Sequence, residues 1–335
     1  MEILSQVHAA NLVRWAKDKP EVLVLSGDLT APTEAHLFRD AYPDRFFSMG
    51  LTEQNFMSVA AGLAREGFVP LVHTFGVFMY RRALDQIAIS IAYPSLRVRM
   101  FGFLPGVTTP GGVTHQAIDD IAVLRGLPNL TLLECADATE TASVLDAIHP
   151  LPGPVYVRMI RGDSVRLFPA DEPLRVGQAR VLSREGEVTV FSSGACTEEA
   201  LKARTLLAAR GVALRHLHVS TLKPFDDPRL LEAAAQARRG LITMENHTIL
   251  GGLGTATAEL IAAHGLGVRL SRLGIRDQFL HGASKPYLMR EYGLDALALV
   301  HTIEQLQGES LHIAEEDLQA VRLQAVHSAA KAEAL

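Results

Sequence analysis

Short apolar runs of strand length recur along this chain, and the segments between them carry apolar residues at helical spacing. In the first half, residues 21–26 (EVLVLS), 68–72, 98–103 and 130–134 read as strands. Residues 53–65 and 81–92 have helical periodicity, and 116–124 opens another helix. Parallel strands cannot be joined by tight hairpins; they need long crossovers, and helices of this size supply them. The alternation therefore predicts a parallel, doubly wound α/β sheet, closed by a strand at 154–160.

Residues 161–176 (RGDSVRLFPADEPLRV) interrupt the pattern with prolines and charges, as an interdomain linker does. Strands at 187–192, 213–219, 240–244 and 267–273 then alternate with helices at 197–210 and 229–237, a second and smaller α/β unit. The expected division is a first domain over 1–165, a linker over 166–178, a second domain over 179–310, and a helical or mobile tail over 311–335. A chain of 335 residues is long enough for each domain to bury its own core.

Composition narrows the function classes. A net charge of −5 gives no footing for nucleic acid or an anionic membrane surface. There is no apolar run of membrane-spanning length and no signal-peptide pattern. Cys135 and Cys196 stand far apart with no CxxC, which reads as reduced, buried thiols and a cytoplasmic location. None of the 13 histidines falls in an HExxH or Cys/His spacing, so no metal site is expected on this chain.

Several residues carry chemistry. Glu53 follows Gly50-Leu51-Thr52 at a helix start, where an acid either complements the helix dipole or offers a carboxyl to a ligand nitrogen. Phe75 and Phe78 either fill a core or form a platform for a planar ring, worth about 1 kcal/mol beyond burial. Gly111-Gly112 leads to Thr114-His115-Gln116. Such a turn is a tight connection or an approach of backbone to ligand, with N–H groups at the helix start favouring anionic oxygens. Asp28 sits at a strand end, where Asp makes local turn bonds. Arg161 has the planar multidentate head suited to an anion, or it makes a linker salt bridge. Gly251-Gly252-Leu253-Gly254 lacks the GxGxxG spacing of a dinucleotide site.

Residues 49–54 (MGLTEQ), 74–78 (TFGVF) and 114–116 (THQ) match three boxes, FGIxE, TFxxF and THQ, of the transketolase family. Over most of its length the chain resembles the transketolase pyrimidine-binding domain, a thiamine-diphosphate-binding fold, followed by the transketolase C-terminal domain. The resemblance implies thiamine diphosphate as cofactor, Glu53 as the carboxyl that activates its aminopyrimidine, and Phe75 stacked on that ring. It also implies Phe78 in the same pocket, Asp28 near the thiazolium, His115 on a substrate oxygen, and Arg161 on a substrate phosphate. The chain departs from the family at Gly111, where an aspartate is usual, and at Phe103, where a substrate-binding histidine is usual. A second phosphate-gripping arginine is missing near Ile3-Leu4-Ser5. These changes make the substrate pocket less polar and favour a non-phosphorylated or differently held sugar.

The family's Mg²⁺–diphosphate site, a GDG motif followed by an Asn-containing segment, has no counterpart here, since Gly27-Asp28 continues to Leu29. The resemblance thus implies the C-terminal subunit of a split transketolase. Its partner would be an N-terminal subunit holding Mg²⁺ and the diphosphate, with a dimer of this chain inside a heterotetramer. Two other readings are a 2-oxo acid dehydrogenase β-type subunit and a non-catalytic interaction subunit. The first would carry an HSQ-like box and lack the run 74–83 (TFGVFMYRRA); intact Glu53, Phe75 and His115 speak against the second.

Overall fold

The structure, a computed structural model, describes residues 2–320 together with 326–327. A short strand, β1 (Glu2–Ser5), and the helix Val7–Trp15 lead into six strands: β2 (Val22–Ser26), β3 (Phe46–Ser48), β4 (Val69–Phe75), β5 (Arg99–Phe103), β6 (Thr131–Glu134) and β7 (Val155–Met159). They lie in the order β6-β7-β5-β4-β2-β3, every pair parallel. β2, β4, β5 and β7 are buried at every position, which is why their sequences are nearly continuous apolar runs rather than alternating ones.

From β2 the chain crosses to β3 on one side, then returns to place β4 on the other. Connections leaving adjacent strands in opposite directions open a crevice at their carboxyl ends, the usual ligand position in such sheets. Here that crevice lies beyond Ser26 and Phe75.

Two expected helices differ. The one expected at 81–92 begins at Gly76, runs to Asp85 and continues as a π-helical segment, Gln86–Ala92. The helix expected from 116 begins only at Asp120. Ala117 is bridged instead to Pro105, with Gly106 N donating to Ala117 O at 2.8 Å, so Thr114–Gln116 lie in an irregular turn. The anion-favouring helix start expected at this turn is therefore not there.

The interdomain segment is pinned in place. β8 (Asp163–Val165) pairs antiparallel with β1. Asp137, the cap of the helix Ala138–Ile148, accepts Leu167 N and Phe168 N at 2.9 Å each through its second oxygen. The second domain contributes β9 (Arg180–Ser183), β10 (Val188–Ser192), β11 (Leu214–His218), β12 (Thr221–Lys223), β13 (Gly240–Thr248) and β14 (Leu270–Ile275). Its sheet runs β14-β13-β10-β11-β9, parallel except for β9. β12 leaves that sheet and pairs antiparallel with β6, covering an edge of the first sheet. In the tail, the helix Glu315–Ala320 and a strand β15 (Val326–His327) parallel to β1 are placed; 321–325 and 328–335 lie outside the described residues.

No helix among the described residues is long and apolar enough to cross a membrane. Cys135 and Cys196 are buried and unbridged, and burial pushes both thiols up.

Candidate active site

Glu53 opens the helix Glu53–Arg65 after a turn in which Gly50 is left-handed (φ 66). Met49 N donates to Ser26 O at 2.8 Å, tying this turn to the end of β2. Glu53 is only 5% exposed. Arg82 Nη1 donates to its Oε1 at 2.6 Å, and its other carboxyl oxygen accepts no donor among the described residues. The Arg82 side chain is 46% exposed, and its guanidinium lies 4.1 Å above the Phe78 ring.

β4 delivers Phe75, and the helix starting at Gly76 delivers Phe78 one turn later. Their rings lie 5.8 Å apart and 26° from parallel. His115 presents an edge to both, at 6.1 Å from Phe75 and 5.4 Å from Phe78. Thr114 Oγ1 lies 2.9 Å from His115 Nδ1, which leaves Nε2 without a partner among the described residues. A Cβ on Gly111 would come within 2.9 Å of the His115 Cβ, so the glycine makes room for the imidazole.

The other expected residues are placed differently. A Cβ on Gly27 would lie 3.3 Å from Gly50 O and 3.9 Å from Thr74 Oγ1, so the end of β2 meets both the Glu53 turn and β4. Asp28, the next residue, is exposed at this rim, and Thr74 Oγ1 is buried without a partner. Phe103 has no exposed surface; its ring packs 5.7 Å from His8 and 6.2 Å from His73. Those two histidines meet Nε2 to Nε2 at 2.9 Å. Burial lowers both, His73 to about 4, so the pair is neutral at ordinary pH and one ring donates to the other. Arg161 lies beyond the end of β7 and makes no side-chain hydrogen bond or ion pair among the described residues. The structure thus assembles Glu53, Phe75, Phe78 and His115, sets Asp28 at the rim, puts Phe103 in the core, and leaves Arg161 without a side-chain partner among the described residues.

Sequence reasoning missed Arg82, although it stands four residues after Phe78 and so on the same helix face. It also missed what the second domain contributes. Asn246 binds the loop before the THQ turn, accepting Val107 N at 2.9 Å and donating to Pro105 O at 2.9 Å. Gln116 Nε2 donates to His281 O at 3.3 Å. Arg81 donates to Asp119 Oδ1 at 2.8 Å and holds the far end of the same loop.

A buried carboxyl with one vacant oxygen, an aromatic pair, an unpartnered hydroxyl and a free imidazole nitrogen fit a planar nitrogen heterocycle and an oxygenated substrate. Among the described residues no group of three His, Cys, Asp or Glu is placed to hold a metal ion.

The chain matches the model of the transketolase pyrimidine-binding domain over residues 4–164 and that of the transketolase C-terminal domain over 177–299. It is 40% identical to a transketolase family protein of Sinorhizobium fredii, covering 89% of this chain and 86% of that one. It is 34% identical to the 6-deoxy-6-sulfo-D-fructose transketolase subunit SqwH of a Clostridium species, covering 88% and 91%. Among solved structures, a split-gene transketolase described as an inactive β4 tetramer superposes with a TM-score of 0.83 at 35% identity, covering 90% of this chain and 97% of that one. The chain therefore belongs to the transketolase family, with the two domains and the span of a split-gene C-terminal subunit.

Proposed function

We propose that this chain is the C-terminal subunit of a two-chain, thiamine-diphosphate-dependent transketolase that moves a two-carbon ketol unit from a ketose to an aldehyde. The observation that carries this reading is Glu53, 5% exposed, with one carboxyl oxygen held by Arg82 and the other left free, joined through Arg82 over Phe78 to the Phe75–Phe78–His115 cluster.

Bound thiamine diphosphate supplies the electron sink that protein side chains lack. Glu53 would hold and exchange a proton at a pyrimidine ring nitrogen through the oxygen that Arg82 leaves free, with Arg82 fixing the carboxyl through the other. Phe75 and Phe78 grip the ring and keep water from it. His115, oriented through Nδ1 by Thr114, presents Nε2 to a substrate hydroxyl or carbonyl oxygen. Asp28, exposed at the rim, would border the rest of the cofactor. Mg²⁺ and the diphosphate belong to the partner, an N-terminal-type subunit, within a heterotetramer in the cytoplasm. With Gly111 in place of an aspartate, and Phe103 packed in the core in place of a polar side chain, the sugar is an unusual ketose or aldehyde rather than the housekeeping pair.

Ketol transfer should appear when this chain is mixed with the GDG-bearing chain of the same genome, thiamine diphosphate and Mg²⁺, and be absent from this chain alone. Full activity of the chain alone would overturn the split-subunit reading. Silence of the mixture across a panel of phosphorylated and free ketoses would overturn ketol transfer.

A further inference from the structure

The segment 104–119, between β5 and the helix that starts at Asp120, carries His115 and is held by both domains. Leu104 and Ala117 sit in the core of the first domain. Val107 and Ile118 instead pack in the core of the second, with Met244, Ile275 and Leu280. Hydrogen bonds fix the same two points. Asn246, on β13, accepts Val107 N at 2.9 Å, and Thr248 N donates to Ile118 O at 2.7 Å.

The tip of the segment is held as well. The loop 276–284, which follows β14 in the second domain, reaches the turn 110–116, where Gln116, 1% exposed, donates Nε2 to His281 O at 3.3 Å. Gly112 is left-handed (φ 71) and lies against Gly282 with no side chain between the two backbones. A Cβ on Gly282 would stand 2.6 Å from Pro110 O and 3.3 Å from Gly112 N. The loop has anchors of its own: Leu280 is buried, and the Tyr292 hydroxyl lies 3.0 Å from His281 Nδ1. From this contact to the imidazole is one short step. His115 N donates to Gly112 O at 2.9 Å, and the imidazole lies on Gly111. Glu53, Phe75 and Phe78, by contrast, stand on elements of the first domain: the helix Glu53–Arg65, β4, and the helix from Gly76.

We infer that the loop 276–284 is a positioning element acting through Gly282. By this contact the second domain sets where the His115 imidazole stands against the Phe75–Phe78 pair, and so governs the substrate side of the cleft without touching Glu53. Two backbones in contact cannot yield as the end of a flexible side chain does, and close-packed atoms pass a displacement on. Moving a reacting group by about 1 Å can cost about 100-fold in rate, so one added methyl at Gly282 is felt at His115. The effect on turnover rests on the ketol-transfer reading; the placement of His115 does not.

Gly282→Ala tests it. Gly282 is not left-handed, so alanine brings no backbone strain of its own there and acts through what its Cβ meets. In the isolated chain, labelled at histidine, the His115 ring signals, identified by their loss in His115→Gln, should shift. In the reconstituted complex, kcat/KM for ketol transfer should fall by about 100-fold, while cofactor C2–H exchange, which reads Glu53, keeps its wild-type rate. Ring signals that stay in place, or wild-type turnover, overturn the positioning role. An exchange rate that falls in step with turnover overturns it too, because the change then is not confined to the substrate side. Should Gly282→Ala not fold, Tyr292→Phe, which frees His281 from its hydroxyl, should give the same pattern with a smaller fall, and unmoved His115 signals in that variant overturn the role. No turnover by the wild-type complex counts against ketol transfer, and the ring signals then decide the positioning alone.

Discussion

Two places where charge is buried contrast, the joint between the domains and the cleft at the ends of β2 and β4. At the joint, Arg158 has no exposed surface and is surrounded by acceptors. Nε donates to Asp120 Oδ2 at 3.0 Å, Nη1 to Glu134 Oε1 at 2.6 Å, and Nη2 to the carbonyls of Ala117 and Asn246 at 3.0 and 3.1 Å. Burial opposes its charge, but Asp120 and Glu134 hold the guanidinium above its ordinary pKa. Asp120 also accepts the Tyr156 hydroxyl at 2.7 Å. In the cleft, Glu53 is about as deeply buried, yet it has one partner, and that partner reaches into solvent. At the joint Asp120 Oδ1 and Glu134 Oε2 are also buried without a hydrogen-bond partner, but both carboxylates pair with one fully buried guanidinium, whereas the carboxyl of the cleft pairs with an exposed one.

The largest expected effect breaks or upholds that contrast at the cleft. Glu53→Gln should lower both turnover and cofactor C2–H exchange in the reconstituted complex by about 10³-fold, with the melting temperature unchanged. If exchange keeps most of its rate, Glu53 is a helix-start residue and the two places differ only in exposure.

The joint should answer in stability. Arg158→Met leaves Asp120 and Glu134 buried without their cation, and such a break is expected to remove about 3–5 kcal/mol. Urea unfolding of the isolated chain measures it, and adding Glu134→Gln should restore part of the loss. A change below about 1 kcal/mol, the worth of an exposed pair, would mean that the joint is not a structural lock.

A smaller effect concerns pH. Glu245, on β13 beside the joint, caps the helix Leu253–Ala263 by accepting Leu253 N at 2.7 Å and Gly254 N at 2.8 Å. Burial pushes its pKa from 4.5 up to about 8. The folded state then holds this proton more tightly than the unfolded chain. The resulting stability is full below about pH 4.5 and is lost as pH rises toward about 8, with a slope of at most ~1.4 kcal/mol per pH unit. Urea midpoints at several pH values should show that decline, and Glu245→Gln should flatten it. A decline of equal size in the variant would assign it to another group.

Much of the cleft was legible because its pieces are local. Glu53 with its glycine turn, Phe75 with Phe78, and Thr114 with His115 each lie within a few residues of one another, and β2, β4, β5 and β7 announce themselves as apolar runs. β3 and β12, at three residues each, are too short for periodicity to mark them. The late helix start at Asp120 was hidden because the pairing of Ala117 with Pro105 takes up the preceding backbone.

Residue order sets whatever depends on neighbours along the chain: the alternation of elements, the turn chemistry at Gly50, and the three boxes that place the chain in its family. Folding alone sets which distant groups share a hydrogen bond. Glu34 reaches His8 across 26 residues and Gly162 across 128, and Asn246 reaches Val107 across 139. No local preference encodes such a pairing, because a buried carboxyl is tolerated only once the fold has brought its donors to it.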